Sequence, residues 1–375
     1  MNKSLIAISI AAALAAPMAN AAPKVYGKLN LSAESYKKDF EDATKTDEDY
    51  TRSVSNASRF GAKGEDELTA DLSVVYGMEW EVSADGDDVS GITSTVTTTT
   101  TTTTTGTDSV NGPIVATSKS TSTSNAVIGG GKLDLTQRNR FIGIKSQKMG
   151  TLKLGKYDTY MKLSQGETDL FNDYAGDMAW TLAGENRINN VIGYESPKFM
   201  NTQINAMMQT QDAASKAKNG NSISIVHNNE EMGLYLALAS DMGIDGKSAL
   251  FGTRESDTMR LTASYKIADL TLNCIYGTSE NINGMDAETS MLLGAAYKIE
   301  AITLKLQHST AEADDEAKVG AGKSSERTMS SLGADYNITT KTKAFAWYTI
   351  REDVLKGAAN DIEETILAVG MEHKF

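Results

Sequence analysis

The last eleven residues, Thr365 to Phe375, alternate strictly and stop on an aromatic carboxyl terminus. Counting back from Phe375 in twos puts His373, Met371, Val369 and Leu367 on one face, with Lys374, Glu372, Gly370 and Ala368 on the other. Chain ends fray into water unless something ties them down. A strand that runs to the final residue therefore needs neighbours on both sides, and a sheet closed on itself supplies them.

The period of two recurs along the chain. Val25, Leu29 and Leu31 alternate with Tyr26, Lys28 and Asn30, and Leu72 to Val82 repeats the pattern. Met259, Leu261 and Ala263 oppose Arg260, Thr262 and Ser264. Alternation of this kind serves a sandwich or a transmembrane barrel equally well. Three features favour the barrel. The strands run to about ten residues, where soluble sheets average about five or six. Short turns (Ile267 to Asp269, Ile299 to Ala301, Ile338 to Thr340) alternate with long polar connections (37–56, 83–135, 157–185 and 310–326). Tyr265, Tyr297 and Tyr336 each stand just before a short turn, which builds an aromatic girdle at one interface.

The segments number roughly sixteen, an expectation that follows from the transmembrane-barrel pattern. They lie near 24–36, 57–64, 71–82, 137–145, 150–156, 187–196, 202–210, 221–227, 233–240, 258–266, 270–278, 289–298, 302–309, 327–336, 342–350 and 363–375. An all-β antiparallel barrel of that size is too wide for side chains to fill, so its interior holds water.

Met1 to Ala21 reads as a signal peptide, with Lys3, an apolar run from Leu5 to Ala16, and Ala19-Asn20-Ala21 as the cleavage site. Residues 22–375 then form one barrel domain, with a Thr-rich outer loop at 83–135. Removing Lys3 takes the net charge from -13 to -14, which speaks against nucleic acid as a partner. Cys274 is alone, so no disulfide forms within the chain. The Thr97 to Thr105 run reads as a surface-loop insertion that either extends a hairpin or stays unstructured.

Tyr26-Gly-Lys-Leu-Asn, Ser58-Arg-Phe-Gly-Ala-Lys-Gly, Arg140-Phe-Ile-Gly-Ile-Lys, Gly150-Thr-Leu-Lys-Leu-Gly-Lys, Arg187-Ile-Asn-Asn-Val-Ile-Gly-Tyr and the terminal Phe375 follow one another in this order. Together they resemble the general, non-specific porins of Gram-negative outer membranes. The resemblance covers nearly the whole mature chain. It implies a trimeric sixteen-stranded barrel among outer-membrane lipid and lipopolysaccharide, passing small hydrophilic solutes and ions without a cofactor. It also implies that the third outer loop, here 157–186, folds inward and narrows the pore.

Within that loop Asp169, Asp173 and Asp177 are spaced i, i+4, i+8, which on a short helix lines three carboxylates along one face. Facing them the resemblance places a basic ladder, carried here by Lys28, Arg59, Arg138 and Arg187. Lys28 opposes Val25 and Leu29, Arg59 opposes Phe60, and Arg187 opposes Ile188 and Ile192. Arg140 shares a parity with Arg138, which conflicts with Ile142 and Ile144 facing lipid. Across a gap of about 8 Å in water each pair contributes about 0.5 kcal/mol, enough to filter hydrated ions without binding them.

Three other readings compete. A substrate-selective channel for oligosaccharide or phosphate would use Tyr160, Tyr174 and Trp180 as contacts, whereas the plainer role of these rings is packing the loop on the wall. Catalysis lacks a nucleophile beside any of the three histidines, so no catalytic residue is assigned. Acidic clusters at 47–49 and 312–316 lack metal-loop spacing, and no metal site is assigned.

Overall fold

The computed structural model describes residues 23–85, 93–108, 112–127, 135–210, 219–284, 286–315, 319–320, 323–357 and 361–375; the signal segment expected at 1–21 lies outside them. The strands are β1 (Lys24–Phe40), β2 (Glu48–Ser55), β3 (Arg59–Glu67), β4 (Leu72–Val82), β5 (Thr93–Asp108), β6 (Gly112–Val127), β7 (Leu135–Ser146), β8 (Gly150–Asp158), β9 (Arg187–Glu195) and β10 (Thr202–Gln209). They continue as β11 (Asn221–Asn229), β12 (Leu234–Lys247), β13 (Thr253–Ile267), β14 (Leu270–Asn281), β15 (Glu288–Ile299), β16 (Ile302–Ala313), β17 (Ser324–Asn337), β18 (Thr342–Leu355) and β19 (Ile362–Lys374).

Antiparallel neighbours follow chain order except that β4 pairs with β7, β5 and β6 forming a sheet of their own, and β1 pairs with β19 to close the large sheet. β2 and β3 both pair with β1 and are two pieces of one stave, broken at Asn56 to Ser58. Counting them as one makes a closed sixteen-stranded barrel. Its seam ends at the terminal aromatic, as the alternation of the last strand requires. The Gly27 N–H donates to the Phe375 carbonyl at 3.1 Å, and the Phe375 N–H returns a bond to Gly27 at 3.0 Å.

Most strands run further toward the long loops than expected, as β12 does to Lys247 and β16 to Ala313. Their outer ends no longer carry a large apolar residue at every second position, so hydrophobic alternation fades before the hydrogen-bond ladder does. On β14, Leu272 and Tyr276 are 47% and 46% exposed on the outside, whereas Ile275 is fully buried on the inside. The two-residue turns at Ala268-Asp269 and Glu300-Ala301 place Ala268 and Glu300 at positive φ, 52° each. The Thr-rich segment forms a separate compact unit, in which β5 and β6 pair as a hairpin with Thr100 opposite Ser120.

Candidate functional site

Between β8 and β9 the chain leaves the sheet and packs against strand side chains such as Ile275 and Leu292, Ile275 being on the parity opposite the exposed Leu272 and Tyr276. It opens with a single helical turn, α1 (Tyr160–Leu163), capped by Thr159, whose hydroxyl accepts from the Lys162 N–H at 3.2 Å. Beyond α1 the chain runs in turns to a 3-10 turn at Met178–Trp180, so the expected helix under the three acids does not form. Asp173 itself sits at φ +70°.

The carboxylates bond to backbone groups instead. Asp169 accepts from the Phe171 and Met178 N–H groups at 3.1 Å each and from Gln307 Nε2 at 2.9 Å. Asp177 accepts from the Asp173 N–H at 2.8 Å and from the Ala179 N–H at 2.7 Å. Burial raises the pKa of both against these donors, and at Asp169 the nearby Asp177 adds to the rise. Asp173 alone reaches the basic wall. Burial disfavours its charge, but Lys28 and then Arg59 outweigh that and hold its carboxyl below the usual range.

The loop is held on several sides. Asn273 Nδ2 donates to Thr168 O at 3.1 Å, Lys305 Nζ to Leu170 O at 3.1 Å, and Gln307 Nε2 to Gly176 O at 3.1 Å. Arg351 bonds the Ala175 carbonyl, and Arg260 donates to Ala183 O at 2.6 Å and Glu185 at 2.8 Å. Apolar contacts complete the docking. Phe171 and Tyr174 bury against Phe345, Trp347 and Ile366, and Met178 and Leu182 against Ile275 and Leu292. Each fully buried ring or aliphatic chain contributes about 1.5–3 kcal/mol.

Three of the four expected basic residues meet. An alternating chain of charges runs along the wall from Glu81 to Arg138 (2.6 Å), Glu79 (2.6 Å), Arg59 (3.8 Å), Asp173 (3.2 Å), Lys28 (2.8 Å) and Glu372 (3.5 Å). The charges expected across a gap touch at Asp173, which shortens their field. A bulge resolves the conflict at Arg138 and Arg140. Gln137 faces Trp80 and Arg140 faces Met78, so Arg138 and Asn139 together oppose Glu79. Arg138 thereby joins the acids, and Arg140 joins Ile142 and Ile144 on the outside.

Arg187 stands apart, bonded to Asp158 at 2.9 Å and Asn139 at 2.8 Å. The register shifts again opposite Lys156, where Gly155 faces Val191 and Tyr157 faces Ile188. Ile188, expected on the lipid side with Ile192, is buried with Tyr157 and Tyr160.

The aromatic candidates are occupied. Tyr160 is 1% exposed, and Tyr174 packs against Phe345 at 4.9 Å with the rings tilted by 55° and Lys305 and Lys343 over its ring. Trp180 has Arg327 at 5.1 Å and Arg351 at 5.3 Å from its ring centroid. Tyr160 and Tyr174 are thus buried, whereas Trp180 stays half-buried.

A family model described as Gram-negative porin matches residues 7–374. The chain belongs to that family. Among solved structures this porin resembles an anion-selective porin from Comamonas acidovorans, with 17% identity and TM-score 0.64 over 95% of this chain and all of that one. It is similar to the outer-membrane channel DcaP of Acinetobacter baumannii, with 12% identity and TM-score 0.64 over 96% and 99% of the two chains. Salmonella typhi OmpF, in complex with daunomycin, matches at 13% identity and TM-score 0.60 over 94% and 97%. No curated protein matches by sequence. The porin is an outer-membrane channel, its barrel spanning the bilayer with the apolar parity outward.

Proposed function

We propose that solutes cross this porin by passive diffusion, through a lumen narrowed by residues 157–186 and biased by the charges along it. The observation that carries this reading is the bonding of Asp173 to both Lys28 and Arg59, while the same loop is held by β13, β14, β16 and β18. A segment tied to that much of the wall occupies part of the cross-section. Along the charge chain, Glu79, Glu81, Asp173 and Glu372 stand against Lys28, Arg59 and Arg138, a near balance that favours weak selectivity leaning toward cations. Small hydrophilic solutes and ions are the cargo, and the burial of Tyr160 and Tyr174, with Arg327 and Arg351 on the ring of the half-buried Trp180, favours this over an oligosaccharide slide. Family membership supports a homotrimer among lipid and lipopolysaccharide, exported by Met1 to Ala21.

Single-channel recording of the refolded mature protein in a potassium chloride gradient tests the proposal. Large ohmic steps that close in thirds, with modest selectivity and no response to maltooligosaccharides or phosphate, are the expected result. Small steps blocked by millimolar sugar or phosphate would replace passive diffusion with a substrate-selective channel.

A further inference from the structure

The connection from β12 to β13, Ser248-Ala-Leu-Phe-Gly252, carries three apolar residues in a row where an exposed loop would be polar. Ser248, Ala249 and Leu250 are buried. The segment reaches past the strands that it joins. On β15, Glu288 accepts from the Ser248 hydroxyl at 2.6 Å and from the Ala249 and Leu250 N–H groups at 2.9 Å each. Ala249 and Leu250 pack on Ala311 of β16. Arg327 of β17, four staves beyond β13, donates to the Ala249 carbonyl. The same Arg327 nitrogen donates to the Trp180 carbonyl at 3.4 Å, and the guanidinium lies 5.1 Å from the Trp180 ring. Asp353 fixes its plane, taking Nε at 3.2 Å and Nη2 at 3.1 Å. One row of β16 shows how the two segments are stacked. Lys305, Gln307, Ser309 and Ala311 share the parity opposite the exposed Leu304 and Leu306. Lys305 and Gln307 bond the 157–186 segment, Thr181 donates to Ser309 at 2.8 Å, and Ala311 takes the next place against 248–252. Ala311 lies nearer the long-loop end of β16.

We propose that residues 248–252 are a keeper for the segment 157–186: seated on its long-loop side, they hold its Trp180 end in place, with Arg327 as the joint and Glu288 as the anchor. Both are positioning residues for permeation. The inference rests on the reading of 157–186 as the narrowing of the lumen. A planar guanidinium can hold Asp353 with one edge and bridge two backbone carbonyls with the other, which an ammonium cannot do in a fixed geometry. Among the described residues Glu288 bonds only the keeper and none of 157–186, so its effect on permeation has to pass through 248–252.

The test records the full mature barrel in planar bilayers as wild type, Glu288→Gln, Arg327→Gln and the two together, with polyethylene glycols of graded size added. Each single variant should raise the rate of brief open-channel excursions by about fivefold and admit a larger polyethylene glycol than the wild type admits. The pair should do no more than Arg327→Gln alone, because both act through one contact. Effects that add, or a Glu288→Gln channel that behaves as wild type while Arg327→Gln does not, overturn the proposal. Lys28→Met with Arg59→Gln is the control on the narrowing itself. A change there with none in Glu288→Gln sinks the keeper alone, and no change in any variant sinks the narrowing with it. Hydrogen exchange on the wild type needs no variant to fold. The Ala249 and Leu250 amides should exchange as slowly as that of Leu182, which bonds the Met178 carbonyl at 2.8 Å. Fast exchange at 249 and 250 beside slow exchange at 182 overturns the proposal.

Discussion

Asp173 and Lys28 lie 145 positions apart in sequence, and their side chains meet at 2.8 Å. The carboxylate comes from the segment between β8 and β9 and the ammonium from β1, so one ion pair joins that segment to the strand that closes the barrel. Both side chains are largely buried, at 16% and 10% exposure.

Removing the partners of Asp173 frees a negative charge in the lumen. Lys28→Met with Arg59→Gln should raise conductance and increase the cation-to-anion permeability ratio by about twofold, the equivalent of about 0.5 kcal/mol for one charge acting at about 8 Å in water. Reversal potentials in a salt gradient measure it. An unchanged ratio places the selective charges elsewhere.

Asp177→Ala should behave differently, because Asp177 caps the turn at Met178–Trp180. Losing such a cap costs about 0.5–2 kcal/mol of local order. The expected outcome is a noisier open channel with its reversal potential unmoved. A clear shift toward anions would instead mean that the Asp177 charge is felt by passing ions.

The Asp169 carboxyl is buried and its pKa is raised from 3.8 to about 8. A raised native pKa stabilises the docked loop while the group is protonated in both states, and that stability is lost as pH climbs from about 4 through about 8. Open-channel noise should therefore fall as pH drops through this window. Asp169→Asn should abolish most of the dependence, and an undiminished pH response in that variant would assign it to another group.

Gly370 stands opposite Phe345 on β18, and a Cβ there would meet the Leu31 carbonyl and the Phe345 ring. Gly370→Val should cost about 1–3 kcal/mol through overpacking beside the closing seam. The temperature at which the folded band disappears in heat-modifiability gels should drop. An unchanged temperature means that Phe345 moves aside at no cost.

Part of the loop's docking site is legible in the amino-acid pattern of the wall. Ile275, Leu292 and Ile366 are apolar residues on the inward parity of their strands, and each is fully buried against loop side chains or their neighbours. Such breaks in alternation mark where a wall is covered by protein, a signal that the spacing of acids within the loop does not carry. Lys305, Gln307 and Arg351 are polar residues on a polar face, and nothing local distinguishes them from residues facing water.

Alternation along the chain, joined to strand length, the contrast of short turns with long loops and the tyrosines before the short turns, points to the closed barrel, its stave count and the lipid-facing parity of most strands. Each strand residue is sorted by whether it faces lipid or water, and that partition acts position by position with a fixed period of two. Folding in three dimensions settles the rest: Arg138 turns inward and Arg140 outward, Arg187 stands apart, and Asp169 and Asp177 serve the loop's own backbone. One extra residue in a strand flips every parity beyond it, and bonds such as Asp173 to Lys28 form only once the cylinder has closed.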